Sequence, residues 1–235
     1  MQTATDQRTG RAPWQVRAAW AAALSALALV LLTYGIYRVG RVLRVDTRAL
    51  DIVNDIRRHW LVVVFQNLTW AGDFLFASIF LLVVSVVVAA RRGSSAPLWL
   101  GLSAVAVLVA TVGTGKQVID RSRIPFAVGS FGDGGTSYPS GHTTTAVVVG
   151  GALVLIASPA LTRRGLRWAW AAMVAYSGLI GVSRVYLRYH WFTDVVAGWL
   201  LGTFIVCGLA LLFVRPLATP PRASDDATTS APDDA

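Results

Sequence analysis

Ser183-Arg184-Val185-Tyr186-Leu187-Arg188-Tyr189-His190-Trp191-Phe192-Thr193-Asp194 separates two long apolar runs, so its polar residues lie near a membrane surface. His190 and Asp194 are four residues apart and share a face if a helix starts here. The Asp194 carboxylate can then hold one imidazole nitrogen of His190, fix its tautomer and leave the other nitrogen free to attack. Arg184 and Arg188 bring positive charge to the same corner. An oriented imidazole beside a fixed cation is what a phosphoryl group needs. The plainer reading is a set of interfacial Trp, Tyr and Arg residues capping two spans. The rest of the chain decides between the two.

Working outward, the composition excludes an ordinary soluble domain. Of 235 residues, 55% are hydrophobic and 14% charged, against about a quarter charged in soluble domains. Several apolar runs approach the roughly 20 residues that a helix needs to cross a bilayer. The expected fold class is all-α: a polytopic membrane six-helix bundle, with spans at 17–39, 74–90, 97–114, 143–159, 168–185 and 195–214. Between the first two spans, residues 40–59 are amphipathic. Leu43, Leu50, Val53 and Ile56 recur at helical spacing, with Asp51, Asp55 and Arg58 elsewhere on the wheel, which predicts a helix lying on the membrane surface. The apolar piece 60–65 is too short to span. Residues 1–16 and 216–235 read as disordered tails flanking one domain, 17–215. The first apolar run is longer than a signal-peptide core and reads as an uncleaved span.

Six spans put both termini on one side and gather the polar segments 116–142 and 183–194 on the other. The two short loops on the terminal side are purely basic, which places that side in the cytoplasm by the positive-inside rule. The expected location is therefore a cell membrane, with the polar loops extracytoplasmic. The net charge of +9 comes almost wholly from arginines at the ends of apolar runs; these are membrane anchors, and no nucleic-acid partner is expected. Cys207 is the one cysteine and lies inside an apolar run, so no disulfide framework is expected. The sequence sets no oligomeric state.

Two further groups carry chemistry. Lys116 and Arg123 close the third span with six residues between them; each alone reads as a snorkelling anchor. Tyr138-Pro139-Ser140-Gly141-His142 then precedes the fourth span. Ser140 is placed as a helix N-cap, and Gly141 permits close backbone approach to a ligand. The first amides of that helix would favour an anion, and His142 is positioned to donate a proton to a leaving oxygen. The two histidines with Asp194 have the chemistry of zinc ligands. Lys116, Arg123 and Arg184 would surround such a site with cations, which repel a divalent metal and attract phosphate. The third histidine, His59, has no partners on its segment and stays outside the site.

Lys116-x6-Arg123, Pro139-Ser140-Gly141-His142 and Ser183-Arg184-x5-His190-x3-Asp194 together resemble, in order, the three-part signature of the type 2 phosphatidic acid phosphatase superfamily. Ile124 stands where that signature has a proline, which here follows as Pro125. The resemblance implies that His190 attacks phosphorus to form a phosphohistidine, that Asp194 orients it, and that His142 protonates the departing oxygen and then activates water. It implies phosphate binding by Lys116, Arg123, Ser140, Gly141 and Arg184, with no metal and no cofactor. The implied activity is hydrolysis of a lipid phosphate or a lipid (polyprenyl) pyrophosphate, with membrane lipids as surroundings. A phosphotransferase of the same superfamily and a non-catalytic lipid-phosphate binder are the alternatives.

Overall fold

The computed structural model describes residues 12–39, 42–124 and 136–218. They contain eight α-helices: α1 (Pro13–Arg38), α2 (Arg44–Ile56), α3 (His59–Thr69), α4 (Phe74–Arg92), α5 (Ala96–Val118), α6 (Gly141–Ala157), α7 (Arg163–Tyr186) and α8 (Phe192–Ala218). Short 3-10 turns follow α3, at Trp70–Gly72, and α6, at Ser158–Ala160. There is no strand among the described residues.

Local chemistry sets the boundaries. Pro13 and Pro97 sit in the first turns of α1 and α5, where a missing N–H costs no hydrogen bond. The Asp73 carboxylate accepts from Leu75 N at 3.0 Å and Phe76 N at 3.1 Å, capping α4. Gly93 ends α4 in the left-handed region, φ 60°, a conformation that glycine enters without a Cβ penalty.

Five of the helices are long and apolar enough to cross a membrane: α1, α4, α5, α6 with its terminal turn, and α8. The expected six include one more, at 168–185. The fifth expected span forms as α7, 24 residues long, but Trp168, Trp170, Tyr176, Ser177 and three glycines dilute its apolar character. α1 starts at Pro13 and α8 runs to Ala218. Residues 1–11 and 219–235 lie outside the described residues, as does the glycine-rich stretch 129–135. The amphipathic segment forms α2, and the short apolar piece is the 11-residue α3.

The core lies at the centre of the bundle, where Leu81, Leu100, Leu108, Val148, Ile156, Ile205 and Leu209 from α4, α5, α6 and α8 pack together. α6 is the central helix: 67% of its most apolar stretch is buried, against 6% for α1, which lies outside along α8. Glycines let α6 and α8 approach closely. A Cβ on Gly202 would fall 2.6 Å from Val147 Cβ, and one on Gly151 would fall 2.5 Å from Val206 Cγ2. Membrane helices gain little from the hydrophobic effect among themselves, so such close backbone packing supplies the attraction. It also fixes the N-terminus of α6 against the N-terminus of α8, and the site sits at that junction.

Candidate active site

His190 lies between α7 and α8, in a turn built at the end of α7. Arg188 N donates to Val185 O at 2.9 Å and Tyr189 N to Arg184 O at 3.0 Å, the paired bonds of a Schellman ending. Arg188 occupies its left-handed position, φ 62°, with a side chain where glycine is usual. The turn sends Arg188 outward to Asn54 on α2, so its charge does not join the corner where the sequence placed it. His190 is thrown inward and buried.

The expected helical pairing of His190 with Asp194 arises differently. α8 begins at Phe192, so His190 precedes the helix. Asp194 folds back, its Oδ2 accepting from Trp191 N at 3.0 Å, and that oxygen lies 3.5 Å from His190 Nδ1. The closer partner of Nδ1 is the carbonyl of Ser137, at 2.8 Å. A carbonyl can only accept, so Nδ1 carries the hydrogen and Nε2 presents its lone pair. Burial drives the His190 pKa from 6.5 down to about 4; the bond to Asp194 opposes this, while Arg184 and Arg123 add to it. The ring is therefore neutral at physiological pH.

The Pro139–His142 turn meets His190 through the backbone. Ser137, which holds the ring, directly precedes Tyr138-Pro139, and Ser140 N donates to the Asp194 carbonyl at 3.0 Å. Ser140 starts α6 as predicted, yet its hydroxyl accepts from Thr143 Oγ1 at 3.0 Å rather than capping the helix. Among the described residues the amides of Gly141 and His142 have no partner, which leaves a helix N-terminus open to an anion. On the other side, Gly115 abuts Pro139 so closely that a Cβ there would lie 2.7 Å from Pro139 Cδ. That contact brings Lys116, in the last turn of α5, to the same place. Lys116, Gly141 and His142 line one cavity of about 360 Å³, whose other walls are Asp73, Phe74, Leu108, Val109, Val112, Gly113 and Thr145.

The remaining cations gather around His142, although neither they nor His190 line that cavity. His142 lies within electrostatic reach of Arg184, His190, Lys116 and Arg123. Arg184 is nearly buried, its guanidinium 4.3 Å from the centre of the Tyr189 ring and its Nη1 donating to Thr69 Oγ1 at 2.8 Å. Its Nε is buried with no hydrogen-bond partner among the described residues. Arg123 donates from Nη1 to Tyr189 O at 3.2 Å. The structure thus brings all three signature segments to one corner. Among the described residues, no three His, Cys, Asp or Glu side chains gather in a metal-binding set.

Sequence reasoning missed Ser137, Thr69, Arg121 and Asp46. Arg121 Nη1 donates to Asp194 Oδ1 and its Nη2 to Asp46 Oδ2, both at 2.5 Å. One signal was present. Asp46 falls in the stripe Leu43-Asp46-Leu50-Val53, at spacings that place it on the apolar face of α2. A carboxylate there needs a buried partner.

A bundle with five helices of membrane-crossing length and apolarity, carrying cations, two imidazoles and open helix amides at one end, has the architecture of a multi-pass membrane protein. The chain belongs to the PAP2 superfamily, whose profile matches residues 96–216 and so spans every signature residue from Lys116 to Asp194. It is 42% identical over 69 residues to an undecaprenyl-diphosphatase of Sulfolobus acidocaldarius, covering 29% of this chain and 30% of that one. The match thus spans under a third of that relative. It is 30% identical over 159 residues to phosphatidylglycerophosphatase B of Bacillus subtilis, covering 64% of this chain and 74% of the relative. The fold matches the crystal structure of a transmembrane PAP2-type phosphatidylglycerolphosphate phosphatase from Bacillus subtilis, with a TM-score of 0.72 at 23% identity over 81% of this chain and 94% of that one. It also matches Aquifex aeolicus LpxE, with a TM-score of 0.51 at 26% identity over 71% and 93% of the two chains.

Proposed function

We propose that this chain is a membrane phosphatase that releases phosphate from a lipid phosphate or a lipid pyrophosphate through a phosphohistidine on His190. The observation that carries the reading is the two-ended cavity. Lys116 and the α6 amides make one end electropositive beside His142, with Asp73 also in the lining, while Phe74, Leu108, Val109 and Val112 form an apolar wall between α4 and α5. A phosphate headgroup fits the first, and a tail entering from the bilayer fits the second. Family membership and the relatives' names support the same class of substrate.

In this mechanism the Nε2 lone pair of His190 attacks phosphorus, and the bond from phosphorus to the leaving oxygen breaks. Burial, then Arg184, His190, Lys116 and Arg123, push the His142 pKa down to about 3. The bound phosphate's negative charge offsets those cations, so His142 takes up a proton with the substrate and gives it to that oxygen. The imidazole becomes cationic as the bond forms; Asp194 and the Ser137 carbonyl stabilise it from the Nδ1 side. His142 then takes a proton from water, the water oxygen attacks phosphorus, and the P–N bond returns its electron pair to Nε2. Lys116, Arg123, Arg184 and the Gly141 amide neutralise charge on the phosphoryl oxygens, which is where positioning and electrostatics supply most of the rate. The corner lies on the extracytoplasmic face, α7 completes a sixth crossing, α2 rests on that surface, and the domain extends over 17–215 between cytoplasmic tails.

The test is phosphate release by detergent-purified protein from phosphatidate, phosphatidylglycerol phosphate and polyprenyl pyrophosphate, each in excess EDTA. Release from at least one, abolished in His190→Ala, is the expected result. No release from any, or release that returns only with added magnesium, contradicts the proposal.

A further inference from the structure

Arg121 stands two residues before Arg123 but turns away from the cavity into the protein. Its side chain is fully buried. Nη1 donates to Asp194 Oδ1 at 2.5 Å and to Thr193 Oγ1 at 2.7 Å; Nη2 donates to Asp46 Oδ2 at 2.5 Å. The guanidinium also lies 5.7 Å from the centre of the Trp191 ring. Asp46 is equally buried and accepts from Thr193 N at 2.8 Å, Thr193 Oγ1 at 2.9 Å and Leu43 N at 3.0 Å. One guanidinium is thus clamped between two carboxylates, one from the surface helix α2 and one from the first turn of α8. It cannot reach an anion in the cavity without releasing both.

We propose that Arg121 and Asp46 are positioning residues for His190: Asp46 holds Arg121, Arg121 fixes the charge and direction of the Asp194 carboxylate, and Asp194 holds the imidazole. The proposal rests on the reading of His190 as the nucleophile. Its physical basis is the division of labour on Asp194. Oδ1 is occupied by Arg121, and Oδ2 receives Trp191 N and faces His190 Nδ1, so the plane of the carboxylate is set from three sides. Stripped of its cation, the buried Asp194 carboxylate presents an uncompensated charge to the ring 3.5 Å away. The other charged groups facing His190 are Arg184 from α7, Arg123 from the segment after α5 and His142 from α6; Tyr138 faces Asp194 and Arg121. None of these changes in the variants below.

The experiment measures kcat, KM and the pH dependence of kcat/KM for phosphatidate hydrolysis by full-length protein in detergent. Wild type against His190→Ala tests the underlying reading on its own; activity surviving in His190→Ala removes that reading, and this proposal with it. Given a dependence on His190, Arg121→Gln lowers kcat about tenfold or more with KM within about twofold. It also moves the acid limb upward, because the unpaired Asp194 charge favours a protonated ring. Arg121→Lys, which keeps the charge, recovers part of both effects. Asp46→Asn moves the acid limb the other way, because Arg121 then bears more fully on Asp194. Shifts of opposite sign are what a merely structural role does not produce. The proposal is overturned if both limbs stay in place or move together, or if Arg121→Gln raises KM about tenfold at constant kcat, the signature of a phosphate ligand. If the Arg121 variants do not purify folded, Asp46→Asn decides alone, and a limb unmoved or raised overturns it.

Discussion

Gly198 lies two turns into α8 and belongs to none of the signature segments, yet it governs where the anion site sits. A Cβ there would meet Thr143 Cβ at 2.9 Å, Ser140 O at 3.0 Å and Thr144 Oγ1 at 3.2 Å. None of these is a flexible side-chain end. Ser140 O is backbone, already accepting from Thr144 Oγ1 at 2.9 Å, and Ser140 N is tied to the Asp194 carbonyl at 3.0 Å. In Gly198→Ala the start of α6 must retreat from 3.0 Å to at least the 3.4 Å of ordinary contact. Overpacking of this kind costs about 1–3 kcal/mol, a fall of roughly 2–10 °C in Tm for a chain of this size. If a 1 Å misplacement costs about 10²-fold, a displacement near half of that costs kcat about tenfold, with His142 and the Gly141 amide moved off line. The assay is thermal unfolding plus phosphate release in detergent. Gly208→Ala, on the same helix with nothing within 4 Å of its Cβ, is the matched control. If Gly198→Ala equals Gly208→Ala in both readouts, the junction of α6 and α8 does not set the site.

Because the folded pKa of His190 lies near 4 and its ordinary value is 6.5, the acid limb of kcat/KM falls near pH 4; a limb near 6.5 shows the ring to be solvated. The same depression makes stability fully present above pH 6.5 and progressively lost as pH falls toward 4, since the unfolded chain takes up the proton first. This loss is read as a decline in Tm that His190→Ala reduces, the remainder coming from His142, whose pKa is pushed down to about 3. Arg184→Ala and Arg123→Ala each lower kcat/KM by about 10²–10³-fold as phosphoryl ligands. An effect of Arg123 below about threefold means that its guanidinium serves only the Tyr189 carbonyl.

Much of this site was legible because its chemistry sits at the ends of apolar runs. Polar residues are costly in such a chain, so Lys116, His142, Arg184 and His190 stood out against their surroundings, and their spacing carried the family signature. What stayed hidden depends on distance in the chain. The partner of the His190 ring is a backbone carbonyl, Ser137, which no side-chain pattern announces. Asp46 and Arg121 are separated by most of α2, α3, α4 and α5, and only the lapse in the apolar stripe of α2 hinted at a buried carboxylate. The turn after α7 was misread for a similar reason. Arg188 takes a left-handed backbone normally left to glycine, so its side chain swings to Asn54 instead of the site. On the fold side, the helix at 168–185 was legible as α7, though its Trp, Tyr, Ser and glycine content makes it less apolar than its neighbours.

The central claim is that a phosphoryl group passes through the Nε2 of His190. Brief exposure of His142→Ala protein to lipid pyrophosphate radiolabelled in its terminal phosphorus, followed by alkaline denaturation, tests it directly. The phosphate leaving group departs with little help from an acid, while the base for dephosphorylation is missing, so an intermediate accumulates. The account predicts an acid-labile, base-stable label on the peptide containing His190, and no label when His190→Ala is added. Label that persists in the double variant, or that resides on any other residue, contradicts it.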